Sequence, residues 1–90
     1  MNRAVVSVIG RDTVGIIANV SALLSRYKIN ILDISQTVMQ DMFAMVLLAD
    51  VTELAVDFAE LAADMASLGR ELGLDIHIMR DDVFDAMHRI

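Results

Sequence analysis

The hydrophobic and polar positions change their spacing several times along the chain, and each change marks a predicted element. The run Ala4 to Ile9 is apolar at almost every position, which predicts a central strand covered on both faces. Helical spacing follows from Val14 to Lys28, where one apolar face is formed by Ile16, Val20, Leu23, Leu24 and Tyr27. Alternation returns over Ile31 to Met39 and predicts a second strand.

The middle of the chain contains a predicted hairpin and a second helix. Gln40-Asp41 is the only turn material before the apolar run Phe43 to Val51, so the second arm of the hairpin is predicted to be another central strand. Asp57 and Glu60 have capping-box spacing and predict the start of a helix. Its apolar face consists of Phe58, Leu61, Ala62, Met65, Leu68 and Leu72.

The end of the chain is predicted to form a strand and a short helix. Gly73 fits the left-handed position at which helices commonly end. Leu74 to Met79 alternates between apolar and polar residues, as a half-buried strand does. Asp81 or Asp82 is suited to cap a terminal helix whose apolar residues are Val83, Phe84, Met87 and Ile90. Residues 82–90 are therefore predicted to be a C-terminal helical extension.

The predicted order of elements is βαββαβ followed by a short helix. Short connections and right-handed crossovers favour an antiparallel four-stranded sheet with two helices on one face. This is the α+β, ferredoxin-like architecture, and residues 1–90 are predicted to form one such domain. Many unrelated functions use this fold, so the function must be argued from the site.

Composition narrows the possible partners and locations. The chain has 90 residues, a formal charge of −6 and no cysteine, which argues against nucleic acid, an anionic membrane surface and a thiolate metal site. It has neither a long apolar span nor a signal-peptide pattern, and we expect a cytoplasmic protein. A hydrophobic fraction of 57% is high for one small core, so we also expect a homo-oligomer.

The sequence offers little material for a catalytic or metal site. No serine stands in a nucleophile-elbow context, and the two histidines, His77 and His88, have no motif that supplies a base and its orienting partner. We interpret His77 as a surface or interface residue. His88 and Asp85 have helical i, i+3 spacing, which by itself is a weak metal signal. We therefore predict no catalytic residue, no metal and no cofactor.

The strand–loop–helix junction from Val8 to Ile17 is the most informative stretch of the sequence. A helix N-terminus exposes N–H groups without internal acceptors, which can hold an anion or a carboxylate. Asp12 or Thr13 is predicted to cap this helix. Gly15 is predicted to lie inside the first turn, where Gly costs roughly 1 kcal/mol relative to Ala and permits close approach to the backbone. Asn30 is either a turn residue or a part of the same site.

Two segments, Gly10-Arg11-Asp12-Thr13-Val14-Gly15-Ile16 and Tyr27-Lys28-Ile29-Asn30-Ile31, resemble the ACT domain family of small βαββαβ modules that sense amino acids. The chain resembles in particular the small stand-alone bacterial ACT proteins, and the ACT domains of glycine-cleavage repressors are similar to it. The resemblance implies a side-by-side dimer formed through the second strand and the first helix. It also implies that a ligand lies between the first loop of one subunit and the Asn30 region of the other.

The ligand-binding residues that this resemblance implies are Arg11, Asp12, Thr13, Val14, Gly15, Ile16, Asn30 and Ile31. Backbone N–H groups near Val14 and Gly15 would bind a carboxylate, while Asp12 and Asn30 would engage amino or polar groups. The predicted function is thus a non-catalytic, dimeric regulatory module for a small ligand, expected to be an amino acid.

Two alternatives remain open from the sequence. The first is a dimer that binds another protein and no small ligand. The second is an enzyme similar to acylphosphatase, in which Arg11 would hold a phosphate and Asn30 would position water. Against the enzyme, the loop lacks a Gly-rich phosphate cradle, and Asp12 would repel a phosphate.

Overall fold

The computed structural model describes residues 2–82 and confirms the predicted ferredoxin-like fold. Its elements are β1 (Arg3–Arg11), α1 (Ile16–Arg26), β2 (Asn30–Met39), β3 (Met42–Asp50), α2 (Phe58–Leu72) and β4 (Leu74–Arg80). The four strands form one antiparallel sheet in the order β2-β3-β1-β4. The extension predicted for residues 82–90 falls, apart from Asp82, outside the described residues.

The core lies between the two helices and one face of the sheet. Alternate residues of the central strand β3 point into it, and Phe43, Met45 and Leu47 are all buried. Val20 and Leu24 from α1 and Leu61 and Met65 from α2 are buried against them. Full burial of one such aliphatic side chain stabilises the fold by roughly 1.5–3 kcal/mol. The helical and strand spacing of apolar residues therefore favours packing of both helices against one face of the sheet.

The structure corrects the predicted start and end of α1. The helix begins at Ile16, and Gly15 is the N-cap residue in the left-handed conformation, with φ of 90°. Gly15 therefore precedes the first turn instead of lying inside it. Neither Asp12 nor Thr13 serves as a cap, since no side chain among residues 2–82 makes a capping hydrogen bond there. The helix ends at Arg26 because Lys28 is left-handed, with φ of 58°.

The ends of α2 agree with the sequence in position but differ in one contact. Asp57 is the N-cap residue, yet within the described part of the chain no side chain closes the predicted capping box. The backbone N–H of Glu60 donates instead to the carbonyl of Asp57 at 2.9 Å. Gly73 ends the helix in the left-handed conformation, as predicted, and its N–H donates to the carbonyl of Gly69.

The edge strand β2 and the outer face of the sheet are less covered than the sequence predicts. On the face opposite the helices, Val5 is buried but Ile9 is 48% exposed, so β1 is covered on both faces over only part of its length. The edge strand β2 is exposed from Leu32 to Met39 and contains an irregularity in its pairing between Ile31 and Asp33.

Among residues 2–82, neither helix is long and apolar enough to cross a bilayer.

Candidate functional site

The loop between β1 and α1 is fastened to the β2–β3 hairpin. The backbone N–H of Asp12 donates to the carbonyl of Asp41 at 2.8 Å. The guanidinium Nε of Arg11 lies 3.8 Å from a carboxylate oxygen of Asp41, with both side chains largely exposed. An exposed ion pair at this distance contributes little, so the backbone bond is the firmer link. The loop position is therefore set by the hairpin turn.

Gly15 orients the start of α1 through its carbonyl. That oxygen accepts the backbone N–H of Asn19 at 2.9 Å and the side-chain amide of Asn19 at 2.8 Å. The first turn of α1 contains no acidic residue, so the positive end of the helix dipole is not offset by a carboxylate of that turn. The N–H groups of a first turn also have no acceptor inside their own helix. This end of α1 is consequently suited to a carboxylate.

A cleft of about 440 Å³ opens between this loop and the hairpin. Four predicted site residues line it, namely Asp12, Thr13, Gly15 and Ile16. Five residues that the sequence did not indicate complete the lining: Ile17, Ala18, Gln36, Val38 and Phe43. The register of the predicted hairpin is the sequence feature that could have indicated the strand residues of the cleft. Val38 pairs with Phe43, and paired side chains share one face of the sheet.

The other predicted site residues lie away from this cleft. Arg11 points toward Asp41 instead, and Val14 is fully exposed at the loop tip. Asn30 and Ile31 lie at the opposite end of β2 from Val38, and Asn30 pairs there with Asp50. Asn30 and Val38 are eight residue steps apart along β2, which corresponds to roughly 25 Å. One chain therefore does not bring Asn30 and the first loop together.

The same separation argues against the acylphosphatase hypothesis. Arg11 ends β1 beside Met42, while Asn30 stands level with Arg3 at the beginning of β1. The two positions are eight residue steps apart along β1, or roughly 26 Å. A phosphate cannot be held by one of them and attacked by water that the other positions. The two residues do not form an enzyme site within one chain.

The remaining candidate chemistry is sparse in the described part of the chain. His77 is exposed on β4, as predicted, and its Nε2 lies 3.9 Å from a carboxylate oxygen of Asp75. Within residues 2–82, no three His, Cys, Asp or Glu side chains are grouped so that they could hold a metal ion. His88 and Asp85 lie outside the described residues.

Comparison with known proteins shows the family of the chain. Residues 2–79 match the ACT domain family. The chain is 48% identical to the UPF0237 protein of Methanopyrus kandleri over 90 residues, which span all of both chains. It is also 48% identical to the UPF0237 protein of Methanocaldococcus jannaschii, again over the full length of both.

Solved structures show the same fold. An ACT domain protein from Streptococcus pneumoniae superposes with a TM-score of 0.82 and 33% identity, covering 97% of this chain and 98% of that one. A protein assigned as a glycine cleavage system transcriptional repressor has a TM-score of 0.73 at 19% identity, covering 88% of this chain and 45% of that chain, which supports the fold alone. The sequence resemblance, the full-length relatives and the fold agree, and the chain belongs to the ACT domain family.

Proposed function

We propose that this chain is a non-catalytic regulatory module that binds an α-amino acid in the cleft between its first loop and its hairpin. ACT domains are regulatory, ligand-binding modules that form oligomers. The observation that carries the proposal is that Asp12 and the first residue of α1, Ile16, line the same cleft. A helix N-terminus suits the carboxylate of a zwitterion, and a carboxylate side chain suits its ammonium group.

The proposed module is a homodimer that associates through β2 and α1. Ile34 and Val38 of β2 lie on the helix side of the sheet, because they pair with the buried Leu47 and Phe43, yet they are 43% and 51% exposed. Ile17 of α1 is also exposed on the lining of the same cleft. An exposed apolar edge strand is a surface on which another strand can pair. A second copy satisfies the free edge of β2 and covers Ile34, whereas Val38 keeps lining the cleft.

Antiparallel pairing of two β2 strands would also complete the predicted ligand site. A twofold axis near Gln36 would bring Asn30 of the second copy past Met39, beside the Gln40-Asp41 turn. That turn holds the first loop through the bond between Asp12 and Asp41. The Asn30 region of the second copy would then lie near the ligand across the interface, although it is roughly 25 Å from Val38 of its own chain. Within that region Ile31 is on the helix face, because it pairs with the buried Ala49. In this proposal the site is incomplete in a monomer.

A second candidate function rests on Val14. This aliphatic side chain is fully exposed at the tip of the first loop, next to the cleft. An apolar residue presented in this way is suited to contact another protein. The alternative is a dimer that binds a protein partner and no small ligand. In both hypotheses the protein acts in the cytoplasm, as its composition led us to expect.

A thermal-shift screen of the purified protein against the common amino acids tests the proposal. A ligand at 100 times its Kd adds about 2.7 kcal/mol of stability, which raises the Tm of a domain this small by at least roughly 10 °C. We expect a selective rise, and we expect Asp12→Asn to abolish most of it. Asp57→Asn is the matched control, since Asp57 is likewise an exposed Asp just before a helix, α2. A flat panel would favour the protein-binding dimer.

A further inference from the structure

We infer that the cleft selects amino acids with an apolar side chain, and that Val38 is a specificity-determining residue. This inference rests on the proposed function, since it concerns the same cleft. The cleft volume of about 440 Å³ lies within the range of small-molecule sites, which are mostly apolar with a few well-placed polar groups. The distribution of polar and apolar residues around it indicates which part of a ligand faces each wall.

Beyond the loop, most of the cleft lining is apolar, on α1 as well as on the hairpin. Asp12, Thr13 and the start of α1 form the loop side, where a carboxylate and an ammonium group find their partners. Val38 and Phe43 form the hairpin side, as a cross-strand pair on the helix face of the sheet. Phe43 is only 4% exposed, so it forms the floor, while Val38 is half exposed and forms a wall. A ligand anchored at the loop therefore directs its side chain toward an apolar surface.

The charges around the cleft disfavour an ionic ligand side chain. Among residues 2–82, no Lys or Arg of the same chain lines the cleft, so an acidic side chain would have no cationic partner from that chain and would face Asp12. Asp12 is also the only carboxylate among the lining residues in that part of the chain. Once Asp12 has bound the α-ammonium group, a basic side chain has no acid left to pair with. Burial of an unpaired charge is strongly unfavourable, so both classes bind weakly.

Among residues 2–82, Gln36 supplies the one polar side chain on the strand side of the cleft. It lies two residues before Val38 on the same face of β2, and it is uncharged. Its amide can contact a carbonyl or hydroxyl at the rim of the cleft, but it does not provide the ionic partner that a charged side chain requires. Selection among neutral ligands consequently depends on the contact with Val38.

The test compares L-valine with L-threonine and L-leucine with L-asparagine by isothermal titration calorimetry of the full chain. Each pair has similar shape but differs in polarity. We expect the apolar member to bind about 10-fold more tightly or better, because an apolar wall cannot satisfy the added polar atoms. Val38→Thr should weaken leucine binding about 3- to 10-fold and leave asparagine binding within about twofold.

Val46→Thr is the matched control for Val38→Thr. Val46 is 47% exposed, close to the 51% of Val38, but it lies on the opposite face of the sheet. We expect this control to bind leucine as the unmodified protein does. Tighter binding of threonine or asparagine, or equal effects of the two valine substitutions, would overturn the inference while leaving the proposed function standing. No binding of any amino acid would overturn both.

Discussion

Gly69 of α2 packs directly against the backbone of Leu74 at the start of β4. A Cβ atom on Gly69 would stand 2.6 Å from the carbonyl oxygen of Leu74. We expect Gly69→Ala to destabilise the protein by about 2 kcal/mol, because overpacking of up to about 3 kcal/mol outweighs the gain of about 1 kcal/mol in helix propensity. Urea unfolding measures this loss.

Gly10→Ala serves as the comparison for Gly69→Ala. A Cβ on Gly10 would also meet Leu74 at 2.6 Å, but the atom that it meets is the side-chain Cδ2, which can move to another rotamer. We therefore expect a smaller loss at Gly10 than at Gly69. Equal losses would show that the backbone of Leu74 yields as readily as its side chain.

Gly15 should be required for its conformation as well as for the site. Its φ of 90° is left-handed, and an L-residue held there costs about 1–2 kcal/mol. We expect Gly15→Ala to lower the free energy of unfolding by this amount, with an added contact of 3.3 Å between the new Cβ and the side-chain amide of Asn19. Gly73→Ala, at φ of 70°, reports the left-handed strain without that contact. Thermal unfolding of both variants compares the two positions, and an unchanged Tm for Gly15→Ala would contradict the assigned conformation.

The hydroxyl of Tyr27 donates to the carboxylate of Asp64 and so links the end of α1 to α2. This hydrogen bond, together with desolvation and the nearby negative charge, raises the pKa of Tyr27 above its usual value near 10. Because the folded-state pKa is raised, the stabilisation is complete below about pH 10 and is lost as the pH rises through the folded-state pKa. Tyr27 is the only tyrosine, so phenolate absorbance reports its titration alone.

Asp64→Asn should bring the titration of Tyr27 toward lower pH. Glu71→Gln, also on α2, is the control, and we expect it to leave the absorbance curve in place. Tyr27→Phe should in addition remove the loss of stability at alkaline pH that this hydrogen bond causes. Coincident titration curves for the native protein and Asp64→Asn would contradict the link between the two helices.

Asp50 should contribute to stability at the acid end of the pH range. Its carboxylate oxygen accepts the backbone N–H of Thr52 at 2.9 Å and the Thr52 hydroxyl at 2.5 Å. These hydrogen bonds lower the pKa of Asp50 below its usual value. A lowered folded-state pKa gives stability that is present above about pH 4 and lost as the pH falls through the folded-state pKa. We expect Asp50→Asn to flatten this acid limb in chemical unfolding measured across pH.

Asp57→Asn is the control for Asp50→Asn. Asp57 is the N-cap residue of α2, and its side chain makes no capping hydrogen bond within residues 2–82. We expect the acid limb of this control to follow that of the native protein. Parallel acid limbs for Asp50→Asn and the native protein would exclude a stabilising role for the Asp50–Thr52 contacts.

The proposed β2 interface predicts a specific effect of charge at Ile34. We expect Ile34→Lys to raise the dimer dissociation constant by at least about 10-fold, since it buries an unpaired ammonium group between two apolar edges. Sedimentation equilibrium measures the association. Val46→Lys changes a side chain of similar exposure on the opposite face and should leave the dimer intact. If Val46→Lys dissociated the dimer and Ile34→Lys did not, the interface would lie on the outer face of the sheet and the proposed β2 interface would be wrong.

The first loop illustrates which residues of the candidate site can be predicted from the sequence. Four loop and helix residues, Asp12, Thr13, Gly15 and Ile16, were predicted and do line the cleft, because they are neighbours in the chain. Gln36 and Val38 were missed because they come to the loop through the hairpin. The role of Gly15 was also misjudged, since its spacing fitted a first turn while its φ makes it the residue before the turn.

The spacing of apolar residues predicts the six described elements, their order and the packed faces of both helices. Burial on a helix or strand repeats with a short local period, so apolar spacing records it directly. The exposure of Ile34 and Val38 follows from the tertiary structure alone, since they lie on the same face of the sheet as the buried Leu47 and Phe43 and are nevertheless half exposed. The reason is the strand order β2-β3-β1-β4, which puts β2 at an edge that the two helices leave partly uncovered. Asn30 is far from the first loop of its own chain because α1 returns the chain to the other end of the sheet, where β2 begins level with Arg3. Burial at an edge depends on long-range strand pairing, which local spacing does not encode.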